Sequence, residues 1–187
     1  HFAVTTGKNV VVPIDKELPK EELEYIDSVA QLDAIIHTDK ENEKIKDIIN
    51  SKIDINMKDA EGYTVAGLIK EGKALIKEGD KSFKESLPSP DDVNILLFTS
   101  GTTGLAKAVM LSQRNIASNL MNMCTLFDIK ESTRFFSVLP IHHTYECTCG
   151  FLCVLYRGAS VAYCEGLKYI VKNLQEYKPT MVLTVPL

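Results

Sequence analysis

Apolar and polar positions follow two different periods along the chain, and the change from one to the other predicts strands and helices in turn. Short continuous apolar runs indicate buried strands, whereas apolar positions three and four residues apart indicate helices. Strands are predicted over residues 9–14, 33–37, 52–55, 93–98, 109–112, 134–139, 160–163 and 180–185. Helices are predicted over residues 19–30, 40–50, 64–78, 113–127, 143–156 and 167–177. Because the two kinds of element alternate, we predict an α/β fold with a mostly parallel, doubly wound sheet flanked by helices.

Single residues mark several element ends. Pro13 ends the first predicted strand, and Pro19 opens the helix that follows it. Ser112 is a candidate N-cap for helix 113–127, because its hydroxyl can accept from a free backbone N–H of the first turn. In the last predicted helix, the residues expected to face inward are Tyr169, Ile170 and Leu174.

The segment 80–92, DKSFKESLPSPDD, is charged and contains two prolines, so it is predicted to be a linker or an exposed loop. It separates a first βα segment, residues 1–79, from a second one, residues 93–187. The chain begins at His1 and ends directly after an apolar strand. We therefore expect it to be a piece of a longer protein, and a naturally small protein with a processed start is the alternative.

Charge and cysteine content narrow the function classes. The net charge of −4 does not favour nucleic-acid binding, which usually needs a basic surface. No apolar run approaches the roughly 20 residues of a membrane-spanning helix. Five cysteines, an odd number, favour a reducing compartment over a disulfide framework. The expected location is the cytoplasm, with peripheral attachment to a membrane left open.

The stretch FTSGTTGLAKAV, residues 98–109, combines small hydroxyl residues, two glycines and one lysine directly after a predicted strand. Glycine lets backbone N–H groups point inward, and small hydroxyls let phosphate oxygens approach closely, so a phosphate-binding loop is one interpretation. A flexible surface turn is the other. The stretch is not a Walker A loop, because Lys107 is not adjacent to Gly104 and a strand-like run follows it.

Three blocks resemble the adenylate-forming superfamily, which includes acyl-CoA synthetases, luciferase-like enzymes and nonribosomal peptide adenylation domains. SGTTG (100–104), with Lys107 and VMLSQRNI (109–116), resembles the signature loop of that superfamily. LPIHHTYE (139–146) and GKNVVVPIDKELPKEELEYI (7–26) resemble a downstream and an earlier segment, and the HHTYE form resembles bacterial long-chain fatty acid–CoA synthetases most. The departures are Ala106, Ala108 and Gln113, where the family usually has Pro, Gly and His.

The resemblance implies part of the large N-terminal domain of an acyl-CoA synthetase-like fold, and an AMP-forming acid–thiol ligase. In that family a carboxylate, here expected to be a fatty acid, attacks the α-phosphorus of ATP with Mg²⁺, and coenzyme A then displaces AMP from the acyl-adenylate. The residues implied to hold the phosphates are Thr99, Ser100, Gly101, Thr102, Thr103, Gly104 and Lys107. The catalytic lysine is expected in the absent C-terminal part, so this chain alone is expected to be inactive.

His143 is implied to shape or gate the acyl pocket, and a packed or capping histidine is the alternative. Tyr145 and Glu146 of the same block are further candidates. The three cysteines of CTCGFLCVLY lie in an apolar predicted helix, where cysteine acts as a small hydrophobe, so no metal site is predicted.

Two alternative functions stay open, namely amino-acid or aryl-acid activation and a noncatalytic nucleotide-binding module. A homodimer also stays open, because a truncated sheet exposes strand edges that can pair.

Overall fold

A computed structural model describes residues 1–38, 42–49, 52–58, 61–99 and 106–184 of the chain. The chain forms two compact units, His1–Met110 and Leu111–Leu187, which are called unit 1 and unit 2. Parallel strands connected by helices occur in both units, so the predicted α/β class is confirmed. The predicted division at residues 80–92 stays a prediction about chain organisation.

The described part of unit 1 follows the predicted alternation, with three short elements that were not predicted, Phe2–Thr5, Tyr63–Thr64 and Ser82–Glu85. Its helices are α1 (Phe2–Thr5), α2 (Lys20–Ala30), α3 (Asn42–Ile49), α4 (Val65–Lys77) and α5 (Ser82–Glu85). Its strands are β1 (Ala34–His37), β2 (Ile53–Asn56), β3 (Tyr63–Thr64), β4 (Val93–Thr99) and β5 (Lys107–Ser112), the last of which continues into unit 2.

Strands β1, β2 and β3 form a parallel sheet in that order, with Ala34 opposite Ile53 and His37 opposite Asn56. Helix α2 precedes this sheet and α3 connects its first two strands. The buried cluster beside the sheet brings α2 and α3 together through Leu23, Ile45 and Ile48, with Ile14, Leu18 and Ile35 packed against it. This packing accounts for the apolar spacing of both helices.

Strands β4 and β5 are hydrogen-bonded neighbours in a second sheet. The predicted strand 9–14 is wrong in extent, because only Val11 pairs with this sheet, in a single parallel bridge to Ile95. The Val11 N–H donates to the Asn94 carbonyl at 2.8 Å, and the Leu96 N–H donates to the Val11 carbonyl at 3.0 Å. Pro13 has no N–H to donate, so the ladder cannot continue past it.

Unit 2 begins with a well-capped helix and is built around a second parallel sheet. Its described helices are α6 (Gln113–Leu126), a π-helix (Glu146–Leu152), α7 (Cys153–Tyr156), a 3₁₀ turn (Leu167–Tyr169) and α8 (Ile170–Tyr177). Its strands β6 (Arg134–Ser137), β7 (Ser160–Tyr163) and β8 (Met181–Val182) pair in the order β7–β6–β8, all parallel. The predicted N-cap is confirmed, because the Ser112 hydroxyl accepts from the Asn115 N–H at 3.2 Å.

The core of unit 2 centres on β6 and on the helical segment that follows it. Its buried cluster consists of Phe135, Cys149, Val154 and Leu183. The predicted helix 143–156 is present over most of its length, but Glu146–Leu152 form a π-helix rather than an α-helix.

The predicted inward face of the last helix is partly wrong. Tyr169 and Leu174 are 38% and 36% exposed, and the buried residue of α8 is the polar Asn173. Asn173 donates to the Glu165 carboxylate at 2.9 Å and accepts from the Glu165 N–H at 3.1 Å. These hydrogen bonds anchor the helix through a residue that a hydrophobic pattern does not count. None of the helices in the described ranges is both long enough and apolar enough to span a membrane.

Candidate functional site

The predicted phosphate-binding segment begins and ends in the paired strands β4 and β5 of unit 1. Thr99 is the last residue of β4, Lys107 is the first residue of β5, and both are exposed. Ser100, Gly101, Thr102, Thr103 and Gly104 lie outside the described residues, so their phosphate-binding role stays a prediction. The pairing shows that the segment is the connection between two neighbouring strands.

Lys107 begins a strand, and this separates the segment from a Walker A loop. In that motif the lysine lies at the start of a helix, whose N-terminal N–H groups help to bind the phosphates. Here the chain continues as β5 from Lys107 to Ser112, and α6 begins only at Gln113. The predicted strand after Lys107 is therefore confirmed, and it argues against a P-loop hydrolase.

A residue from a distant part of the sequence contacts the end of this segment. The Tyr25 hydroxyl of α2 donates to the backbone carbonyl of Ala106 at 3.1 Å, across 81 positions of sequence. Ala106 directly precedes Lys107. No periodicity or motif in the sequence indicates this contact, because it joins residues 81 positions apart.

In unit 2, the structure places His143 just before the π-helix. Its ring is exposed, and its Nδ1 accepts from the Tyr145 N–H at 3.3 Å, while its carbonyl accepts from the Cys147 N–H at 2.9 Å. The ring therefore satisfies a backbone donor that a helix start leaves free. These contacts show the capping arrangement that the sequence left as an alternative, and the pocket role stays a prediction.

Glu146, three residues further on, is the most unusual side chain of unit 2. It is 1% exposed, and among the described residues neither carboxylate oxygen has a partner in hydrogen-bonding geometry. Burial raises the pKa of Glu146, and the nearby Ser137 hydroxyl and His143 ring oppose the increase in part. A buried carboxyl without hydrogen bonds favours its neutral form.

The π-helix and one glycine make room for this carboxyl. A Cβ at Gly150 would lie 2.7 Å from Cδ and from Oε1 of Glu146, closer than real contacts allow. The carboxyl therefore packs directly on the Gly150 backbone. Partial desolvation of the phenol raises the pKa of Tyr163 on β7, and the Glu146 carboxyl adds to the increase. π-Helical turns are rare and often occur at functional sites.

The cysteines of unit 2 behave as apolar packing groups. Burial raises the pKa of the Cys147 and Cys149 thiols, and it raises that of Cys153 to about 12 with help from the neighbouring Cys124. These thiols are therefore protonated near neutral pH. Within the described ranges, no group of three or more His, Cys, Asp or Glu side chains is arranged to hold a metal ion.

Comparisons with known proteins give the family. The whole chain, residues 1–187, matches the family described as AMP-binding enzyme. The chain is 27% identical to the long-chain-fatty-acid–CoA ligase 1 of Cavia porcellus, over 95% of this chain and 28% of that protein. It is also 27% identical to the oxalate–CoA ligase of Arabidopsis thaliana, over 99% of this chain and 37% of that protein.

A solved structure shares the fold. The crystal structure of ATP-bound MatB from Rhodopseudomonas palustris matches 93% of this chain and 34% of the MatB chain, with a TM-score of 0.71 and 21% identity. The chain spans between 28% and 37% of the length of these relatives. A family match over all 187 residues establishes that this chain belongs to the AMP-binding enzyme family.

Proposed function

We propose that the chain carries the phosphate-binding part of an ATP-dependent acid–thiol ligase that activates a fatty acid and transfers it to coenzyme A. The observation that carries the proposal is the Thr99–Lys107 segment, which connects two paired strands and ends on an exposed lysine. A cation at a fixed strand start and a glycine-rich connection suit a polyphosphate. The family match over the full chain supports this assignment.

In the proposed reaction, a carboxylate oxygen of the acid attacks the α-phosphorus of ATP. The bond from that phosphorus to the bridging oxygen breaks, and pyrophosphate leaves with the electron pair. The thiol of coenzyme A then attacks the acyl carbonyl, AMP leaves, and the thiol proton is released. Phosphoryl transfer depends mainly on positioning and charge neutralisation. The part of this chain is to hold the β- and γ-phosphates with Lys107 and with the hydroxyl and N–H groups of residues 99–104.

The described residues bring no cluster of metal-ligating side chains to this segment. Mg²⁺ typically keeps several waters and binds through substrate phosphates with one or two carboxylates. It would therefore reach this site chiefly through ATP, and no step is assigned to residues that hold it. When bound, it would neutralise phosphate charge.

His143 and Glu146 are the proposed contributions of unit 2. His143 is exposed, and its Nδ1 accepts from the Tyr145 N–H, which fixes the orientation of the ring. An exposed ring with a fixed orientation suits a wall of the acyl pocket better than proton transfer. The fatty-acid assignment is supported by the HHTYE block and by the similarity to the fatty-acid–CoA ligase.

The experiment is acid-dependent exchange of labelled pyrophosphate into ATP by the intact protein, that is, the longer ligase of which this chain is expected to be a part, with palmitate, oxalate, benzoate and an amino-acid mixture as separate substrates. Exchange with palmitate, and its loss by a factor of ten or more in K107A, is the expected result. Lys168, exposed and near the Tyr169 ring, provides the matched control K168A. Exchange only with oxalate, benzoate or amino acids would overturn the fatty-acid assignment. No exchange with any acid, together with ATP binding that K107A leaves unchanged, would overturn the ligase proposal.

A further inference from the structure

The contact between Tyr25 and Ala106 connects a helix near the beginning of unit 1 to the end of the predicted phosphate-binding segment. The Tyr25 hydroxyl donates to the Ala106 carbonyl at 3.1 Å, and the bond is partly buried. Because this hydrogen bond is partly buried, water competes with it less than with a hydrogen bond on the surface. Its position, one residue before Lys107, is the feature that needs an explanation.

Helix α2 holds Tyr25 in a fixed place. Leu23 and Ile26, two and one residues away from Tyr25, are buried at 8% and 2% exposure. The helix is also attached by the ion pair of Asp27 with Lys52 just before β2, which is at 3.0 Å and mostly buried, whereas Lys20 pairs with Asp47 on α3 at the surface. Buried packing and the Asp27–Lys52 pair therefore place the turn of α2 that carries Tyr25 against the rest of unit 1.

The geometry of the peptide bond carries this constraint to Lys107. The carbonyl oxygen of Ala106 and the nitrogen of Lys107 belong to one planar peptide group. A hydrogen bond to that oxygen therefore restrains the whole plane, which limits ψ of Ala106 and φ of Lys107. These two angles decide where the Lys107 side chain leaves the backbone as β5 begins.

We propose that Tyr25 is a positioning residue for the phosphate-binding segment, acting through the Ala106–Lys107 peptide plane to orient Lys107 toward the phosphates of ATP. The inference rests on the proposed function, because it assumes that Lys107 meets ATP. It assigns no contact between Tyr25 and the nucleotide. Sequence spacing gives no signal for this role.

The experiment compares Y25F, which removes only the hydroxyl, with wild type, K107A and the double variant Y25F/K107A. The KM for ATP and kcat are measured by pyrophosphate exchange with the intact protein, and the Kd for ATP by calorimetry. One neutral hydrogen bond corresponds to about a two- to tenfold effect. We expect Y25F to raise KM and Kd for ATP by about that factor in the wild-type background, and to change neither in the K107A background. Tyr63, which is 59% exposed, gives the control Y63F.

The outcomes separate this inference from the proposed function. A K107A effect without any Y25F effect would overturn the role of Tyr25 and leave the ligase proposal standing. Equal Y25F effects in both backgrounds would show a general structural role and would also overturn it. ATP affinity that is the same in wild type and K107A would overturn the proposed function, and with it this inference.

Discussion

The buried carboxyl of Glu146 permits a test of how much it lowers the free energy of unfolding. The side chain is 1% exposed, and its oxygens have no hydrogen-bond partner among the described residues. Leaving a buried polar group unsatisfied costs about 1–3 kcal/mol. Methionine is unbranched, similar in length and apolar. We therefore expect E146M to raise the free energy of unfolding by about 1–3 kcal/mol, or the Tm by roughly 2–4 °C per kcal/mol for a chain of this size.

The pH dependence gives an independent check with a defined sign. The pKa of Glu146 is raised above its ordinary value of 4.5 in the folded protein, so the native state binds the proton more tightly than the unfolded state. The contribution of Glu146 to the free energy of unfolding is therefore largest below about pH 4.5 and decreases as the pH rises through the pKa of the folded protein. E146Q cannot ionise. The difference in unfolding free energy between E146Q and wild type should therefore shift in favour of E146Q from pH 5 to pH 8.

Urea unfolding at pH 5 and pH 8, followed by circular dichroism, measures both effects. The matched control is Glu176, whose side chain is 58% exposed, as E176M and E176Q. Changes at an exposed site should stay within about 0.5 kcal/mol and show little pH dependence. A loss of stability of 1 kcal/mol or more in E146M at both pH values, with the control unchanged, would refute the reasoning. It would mean that the carboxyl is satisfied in the folded protein.

Two further changes test the local structure of unit 2. G150A should destabilise the protein by about 1–3 kcal/mol, because its Cβ would lie 2.7 Å from the Glu146 carboxyl. If that clash is the cause, the cost should be smaller in the E146A background, and urea unfolding of the four proteins measures this coupling. An equal cost in both backgrounds would contradict the explanation. S112A should lower the free energy of unfolding by about 1 kcal/mol, because it removes the N-cap hydroxyl that accepts from the Asn115 N–H at 3.2 Å. S112T keeps a hydroxyl and should retain most of that stability. If S112T loses as much stability as S112A, the capping explanation is wrong.

The sequence was informative wherever structure depends on neighbouring residues. The Ser112 cap and the parallel strands β6 and β7 follow from residues close to them in the chain. Helix α4 also forms where it was predicted, with the Thr64 hydroxyl accepting from the Gly67 N–H at 3.0 Å, although none of its residues is buried. Local signals thus predict that a helix exists more reliably than they predict what it packs against.

The sequence was less informative wherever structure depends on distant contacts. The strand 9–14 has β-branched residues suited to a sheet, yet Pro13 and the available partner limit it to the Val11 bridge. Tyr25 lies inside a block that the family resemblance covers, but its contact with Ala106 depends on the packing of α2. The apolar spacing of residues 143–156 predicts a helix but does not distinguish an α-helix from a π-helix. It also gives no sign that the Glu146 carboxyl packs on Gly150.

Two buried polar residues of unit 2, neither of which a hydrophobic pattern predicts to be buried, are buried for different reasons. Asn173 is buried with both hydrogen bonds to Glu165, so its burial is explained by folding alone. Glu146 is buried without such bonds, within the LPIHHTYE block and on a π-helix next to His143. A buried polar group that lowers stability and has no hydrogen-bond partner is expected where a residue serves function. E146M should therefore be more stable than wild type and slower in acid-dependent pyrophosphate exchange, whereas a variant that is both more stable and fully active would show that the carboxyl has no part in the reaction.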